Sequence, residues 1–453
     1  MIVAGSMIGS GIFIVSADIA RTVGGAGWLL VVWLIAGIIT VTAAVSYGEL
    51  AGMIPKAGGQ YVYLREAYGP LAGFLYGWTL FLVIQTGTIA AVAVAFAKYT
   101  SVLLPWFSEQ HILFAAGKFQ ISAAQILAIV VIAFLTSLNL RGLKLGKLVQ
   151  NLFTTAKIAS LVGLALLVFY ALSRGRAWSL NLESAWQGTW RHMQGKEVVA
   201  IESISGLKLW AAIGVAMVGS LFSATAWENI TYTAGEVRRP ERDVALALVL
   251  GTSLVMLLYL LANVMYLATL PMDAIRSAPL DRVATAALSS LCGAPGGLLM
   301  AALIMVSTFG CNNGLILSGA RVYYAMAKDG LFFEQIGGLN KNAVPSAALV
   351  LQGVWAGLLC LSGAYGDLLD YVIFANLLFY SMTVAGIFVL RVKRPDALRP
   401  YQAWGYPFVP AFYILACSAI CLDLLIFKPA YTWPGLGIVL LGVPVYFLRR
   451  RFS

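Results

Sequence analysis

The chain has 453 residues, of which 60% are hydrophobic and only 11% charged, against roughly 25% charged in an average soluble domain. That composition excludes a water-soluble enzyme or binding domain. Its net charge of +11 does not indicate nucleic acid, because the basic residues are dispersed among short segments between apolar runs and are not gathered on one soluble face.

Apolar runs of about 20 residues recur from end to end, the length a helix needs to cross a bilayer and unlike the alternating strands of a barrel. Twelve spans are predicted, at 1–20, 27–54, 71–104, 121–139, 148–173, 211–235, 243–270, 297–326, 344–364, 368–390, 406–427 and 431–448. The first, "MIVAGSMIGSGIFIVSADIA", crowds Gly5, Ser6, Gly9, Ser10 and Gly11 into its centre, weak positions for a helix that must satisfy its own backbone in lipid. Gly5-x-x-x-Gly9 also fits a close helix-packing pattern, so this run alone leaves packing and unwinding both open. No basic segment precedes it, so a cleavable signal peptide is not expected.

Farther along, Gln85, Thr86 and Thr88 in span 3, Asn312 and Asn313 in span 8 and Asn376 in span 10 face either a pocket or another helix. Lys157 lies inside span 5, about 14 Å deep at 1.5 Å per residue, too far for an easy reach to the interface. An ionisable group at that depth is a functional candidate. Span 6 carries a second interruption, "FSATAWEN", where Ser223, Ala224, Thr225 and Ala226 form a small, partly hydroxylated patch before Trp227, Glu228 and Asn229. Interrupted spans at corresponding places in two five-span halves point to an inverted-repeat transporter. Where such a helix unwinds, its freed N–H groups can hold a carboxylate and its freed carbonyls an ammonium, and a zwitterionic amino acid carries both.

The longest hydrophilic stretch, 174–210, has 37 residues, too few for a soluble domain. No Ser/His/Asp set, metal-ligand cluster or phosphate-cradling loop is present, which leaves transporter, channel or receptor and implies no cofactor or metal. The five cysteines, at 292, 311, 360, 417 and 421, fall in or beside spans and read as packing residues, and His111 and His192 read as surface residues in outer loops. With an even number of spans both termini share one side; the loops on that side hold 18 Lys/Arg and the opposite set 11, so the termini are expected inside.

Several stretches together carry a family resemblance: "GSMIGSGIF" in span 1, "YGELAGMIPKAGGQYVYLREAYGP" after span 2, "VQNLFTTAKIASL" in span 5, "WENITYTAGEVRRPERD" closing span 6, "STFGCNNGLILSGARVYYAMAKDG" through span 8, and "LRVKRPDALRPY" with "GVPVYF" near the end. In this order the chain resembles the L-amino-acid transporter family of the amino acid, polyamine and organocation superfamily. The resemblance implies an all-α polytopic membrane protein, a single transporter domain of ten core spans in two inverted halves, 1–173 and 205–390, with spans 1 and 6 broken and two accessory spans in 391–453. It further implies that substrate sits between the broken spans and that access alternates by rocking and gating. The N–H groups of Ser10 and Gly11, beside Gly9, should take the substrate carboxylate, and the carbonyls of Met7, Phe222, Ser223 and Thr225 the ammonium. Phe222 stands at the position of an aromatic gate. Lys157 resembles a built-in cation standing where sodium-coupled relatives bind a sodium ion, and is expected to tie the break of span 1 near Gly9 to span 8 near Ser307 or Thr308.

Glu228 keeps three readings: a proton-sensitive gate, a counter-charge for a cationic substrate, or a partner for a buried donor. Thr225-Ala226 replaces the smaller pair usual before the span 6 tryptophan, which leans towards small substrates such as alanine or serine. The chain starts without the polar, basic lead-in of relatives, so either the start is truncated or the inner gate is shortened. Glu49, Lys56, Arg65 and Glu66, with Arg238, Arg239, Glu241, Arg321, Lys328 and Asp329, read as anchors of the inner loops or as inner-gate ion pairs. The leading expectation is sodium-independent exchange of neutral, small L-amino acids across the cell membrane. The alternatives are a proton-coupled or cationic amino-acid or polyamine antiporter using Glu228, and a non-transporting sensor or assembly subunit. Heavy-chain-linked relatives carry a cysteine between spans 3 and 4; the loop 105–120 has none, so no disulfide-linked heavy subunit is expected.

Overall fold

The computed structural model describes residues 1–116, 119–174, 177–194, 197–362 and 365–452. Parts of the outer loops 105–120 and 174–210, and the end of predicted span 9, lie outside the described residues. Long apolar sequence winds into long helices, and ten of those described are long and apolar enough to cross a bilayer, two of them with prolines inside, Pro295 in one and Pro434 and Pro444 in the other. Span 2 runs over Ala26–Met53 and span 7 over Pro240–Thr269. Span 7 opens with proline in its first turn beside Glu241 and Asp243, both favourable at a helix N-terminus.

Two of the twelve predicted spans are not among those ten, each for a local reason. Span 1 divides into Ile2–Met7, Gly11–Ile14 and Ser16–Val23. Span 9 is helical over Ser346–Leu359, only 14 residues. Span 6 is helical over Gly206–Ser223, stops, and resumes briefly at Asn229–Tyr232. Ala226 in that gap has φ of 67°, a left-handed conformation that costs an alanine energy. Span 8 belongs to a helix that begins at Val283, earlier than predicted, and passes a non-helical Gly293 before ending at Lys328.

The outer loops are more ordered than the sequence indicated. Ile112–Ala116 pairs with Phe119–Ser122, and Thr189–Gln194 with Glu197–Ser203, as two short antiparallel hairpins. Large apolar side chains such as Phe169, Leu166, Leu250, Leu415 and Leu422 are left exposed along spans 5, 7 and 11. On a soluble protein they would be a liability; here they form the surface that faces lipid. Polar groups concentrate instead in the interior, around the breaks of spans 1 and 6.

Candidate functional site

The two breaks touch. A Cβ added to Gly11 would lie 2.9 Å from the Ser223 Cα, so only glycine allows the backbones of spans 1 and 6 to meet there. One turn on, Gly219 of span 6 takes Val15 of span 1 in the same way, where a Cβ would lie 2.8 Å from the Val15 Cβ. Of the residues assigned to the substrate from sequence, Met7, Ser10, Gly11, Phe222, Ser223, Thr225 and Glu228 are all buried, so the region is closed to both faces.

Unwinding span 1 at Ile8–Ser10 frees carbonyls, and neighbouring spans cap them. Lys157 Nζ donates to Gly5 O at 2.6 Å and to Ile8 O at 3.1 Å. Ser307 Oγ donates to the same Ile8 O at 3.1 Å, which joins spans 1, 5 and 8 at one atom. The Thr308 hydroxyl turns back to Ile304 O and Met305 O of its own helix and takes no part. Cys311 Sγ lies 3.1 Å from Ser6 O and beside Gly9, whose added Cβ would be 3.1 Å from the same sulfur. Tyrosines supply the rest: Tyr259 donates to Met7 O at 2.9 Å, Tyr99 to Phe13 O at 3.0 Å and Tyr266 to Ile12 O at 3.4 Å. Sequence reasoning passed over these three, although tyrosine inside an apolar span signals a hydroxyl in search of an acceptor.

This capping bears on the acceptor set. Met7 O already receives Tyr259 and the Gly9 N–H at 2.8 Å, which occupies both of its lone pairs. Phe222 O receives the Thr225 hydroxyl at 2.7 Å and the Thr225 N–H at 3.1 Å. The Ser223 and Thr225 carbonyls have no donor among the described residues. On the far side of span 6, Thr225 and Trp227 line a small cavity with Thr40 of span 2 and Asn376 and Tyr380 of span 10, with room for about one water molecule.

Glu228 follows Trp227 in the break and is buried among tyrosines and the backbone of Ala226. Tyr232 approaches its Oε1 at 3.5 Å and in turn shares a 2.5 Å hydrogen bond with Tyr76. Tyr47 and Tyr380 complete the nest, and Trp227 stacks edge-on against Tyr47 at 4.7 Å. The second carboxylate oxygen, Oε2, has no hydrogen-bond partner of normal geometry among the described residues, with the Tyr380 hydroxyl nearby. Of the other polar side chains singled out, Gln85 donates to Leu315 O at 2.7 Å and Asn313 accepts from Asn139 at 2.8 Å. Thr86 and Thr88 bond their own helix, while the buried Asn312 amide has no partner among the described residues.

At the face expected to be the inner one, short polar elements lie over the broken helix. Gly58 and Gly59, with φ of 104° and 47°, press against the last turn of span 6, and the Gly58 N–H donates to Tyr232 O at 3.2 Å. The following helix, Gln60–Tyr68, is tied by Tyr61 and Arg65 to Asp329 at the end of span 8. Arg321 pairs with Glu236 at 2.7 Å, linking span 8 to the end of span 6. Burial pushes the Glu66 carboxyl up, but Arg394 and Arg65 outweigh it and hold it below the usual carboxylate range. At the opposite face Arg21 pairs with Asp281 at 2.7 Å, and Arg276 donates to Gly24 O at 2.5 Å.

Comparison with known proteins decides the family. Residues 1–440 match the amino acid permease family. The chain belongs to that family. The permease is 28% identical over 458 residues to the b(0,+)-type amino acid transporter 1 of Mus musculus, covering 99% of this chain and 85% of the relative. It is 30% identical over 449 residues to the large neutral amino acids transporter small subunit 2 of Homo sapiens, covering 99% of this chain and 78% of that protein. Both are named as amino acid transporters, in line with the resemblance carried by the motifs. A multi-pass helical membrane protein of this family transports amino acids.

Proposed function

We propose that the permease exchanges small neutral L-amino acids without sodium, by alternating access across the cell membrane with both termini on the cytoplasmic side. The observation that carries sodium independence is Lys157, whose ammonium donates to the carbonyls of Gly5 and Ile8 within reach of Ser307. A fixed positive charge on those carbonyls leaves no reason for a mobile cation to enter. The substrate carboxylate is assigned to the N–H groups of Ser10 and Gly11, beside Gly9. Its ammonium is assigned to the Ser223 and Thr225 carbonyls, with Phe222 as gate; Met7 and Phe222 carbonyls serve the helix break instead. Residues 1–173 and 205–390 act as the two inverted halves, and the spans of 391–453 as accessories. Without a cysteine in 105–120, a disulfide-linked heavy subunit is not part of this reading, although the human relative is named a small subunit.

A second reading, transport of cationic substrates or proton coupling, is favoured by one feature: a carboxylate, Glu228, is buried in the break of span 6 within the tyrosine nest, and one of its oxygens has no partner of normal geometry among the described residues. One experiment separates the two. Liposomes holding the purified protein are loaded with unlabelled amino acids, and uptake of labelled alanine and arginine is followed with and without sodium and a pH gradient. Alanine uptake that needs an internal amino acid and ignores sodium is expected. Arginine uptake, or uptake driven by the pH gradient, selects the second reading; no uptake under any condition overturns both in favour of a sensor or assembly role.

A further inference from the structure

On the inner face, several cations already meet carboxylates: Arg65 with Asp329, Arg321 with Glu236, Arg391 and Arg399 with Glu49, Arg394 with Glu66. Four that lie together do not. Lys56, in the loop after span 2, and Arg238, Arg239 and Arg242, where span 6 gives way to span 7, are exposed and have no ion pair or side-chain hydrogen bond among the described residues. The two loops are neighbours: a Cβ on Gly235 would lie 3.7 Å from the Ala57 Cβ, and one on Gly52 would lie 3.1 Å from the Glu241 carbonyl.

Their depth in the membrane follows from the chain. Arg239 caps span 7 and Arg242 lies in its first turn, just before the apolar run that starts at Val244, so the cluster lies at the level where the helix leaves lipid hydrocarbon for the headgroups. Two carboxylates share the neighbourhood, Glu241 and Asp243 in the first turn of span 7, while Glu236 is already engaged by Arg321. Cations therefore outnumber the free carboxylates. Four or more cations clustered at the end of a span attract anionic headgroups, each contributing about fivefold in affinity.

We propose that Lys56, Arg238, Arg239 and Arg242 form a binding surface for the headgroups of anionic phospholipids in the inner leaflet. This surface is independent of the substrate assignment and is tested without transport. Purified protein is equilibrated with mixed phosphatidylglycerol and phosphatidylcholine, and the lipid it retains is counted by native mass spectrometry. The same is done for the triple variant R238Q/R239Q/R242Q, for R242Q alone, and for K341Q as a control away from the cluster. The wild type and K341Q are expected to retain phosphatidylglycerol preferentially, R242Q to lose about fivefold, and the triple variant to lose the preference. Should the triple variant fail to fold, R242Q alone decides. Equal retention of the two lipids by the wild type, or an unchanged preference in R242Q, overturns the proposal. Displacement of the retained lipid by inorganic phosphate reassigns the surface to soluble anions and overturns it as well.

Discussion

Ala226 is the residue at which this permease departs most visibly from an easy backbone. It holds a φ of 67° in the break of span 6, where a Cβ crowds the backbone and costs roughly 1–2 kcal/mol. Replacing it with glycine, A226G, removes that crowding and is expected to stabilise the protein by about 1 kcal/mol after the added freedom of the unfolded chain is counted. A higher melting midpoint in detergent checks this; an unchanged or lower midpoint contradicts it. Lys157 tests the neighbouring break. Truncation in K157A strips the Gly5 carbonyl of its charged donor and leaves Ile8 O with Ser307 alone, a loss of about 1–3 kcal/mol in the closed arrangement. Amino acid transport in liposomes should fall about tenfold or more while the protein still inserts, since 1.4 kcal/mol is a factor of ten; wild-type rates in K157A would contradict the role. Gly11 is a poor site for a similar test, because any side chain there drives spans 1 and 6 apart and disturbs folding as well as transport.

The elements with the clearest design are those that hold the inner and outer ends. Glu49 is buried at the end of span 2 and accepts Arg391 through both oxygens at 2.9 and 2.8 Å, with the Ala403 N–H at 2.8 Å. It thereby fixes span 10 and the loop that follows it against span 2. The neutral amide of E49Q cannot accept on both sides, so Arg391 and Arg399 lose their counter-charge, and a destabilisation of about 3 kcal/mol is expected; a melt within experimental error of wild type would contradict it. At the outer face Asp273, in the helix Met272–Arg276, is hydrogen-bonded by Arg276 and Arg191, which hold its carboxyl below the usual range. A depressed folded-state value means that the contact stabilises above the ordinary carboxylate range and is lost as pH falls through the folded value. Hydrogen exchange in Met272–Arg276 should therefore stay slow at mildly acidic pH and rise only below that range; loss of protection near neutrality would contradict it. The broken spans were legible in sequence because glycine, serine and threonine in an apolar run have no other common use than packing or unwinding. The tyrosine caps on span 1 were not, since which carbonyl a hydroxyl meets depends on how spans 3 and 7 pack, and no local pattern encodes that. Span 9 was overestimated because composition counts apolar residues and cannot see that the helix stops at Leu359.

At the scale of the whole molecule the fold is latched at both ends around a closed centre. Arg21–Asp281 and the Arg276 contacts bind span 1 to the outer loop between spans 7 and 8, while Arg65–Asp329 and Arg321–Glu236 bind the inner elements over span 6. The family and the helical architecture were readable from composition and motif order, but a sequence lists the charged residues without their partners, and the latches exist only as pairs of residues far apart in the chain, 85 positions for Arg321–Glu236 and 260 for Arg21–Asp281. Under the proposed alternating access one latch must hold while the other yields, so weakening either should shift the population towards opening on that side. Cys311 is a native reporter of the inner opening: its sulfur is buried against Ser6 O of the first helical segment of span 1. In a background with the other four cysteines changed to serine, a membrane-impermeant thiol reagent applied from the inner side should label Cys311 faster in R65A and R321A than in the parent. R21A, which loosens the outer latch, should label no faster, because outward opening keeps the inner segment of span 1 packed against span 8. Faster labelling in R21A, or none in R65A and R321A, would mean that these ion pairs brace the fold and do not gate it.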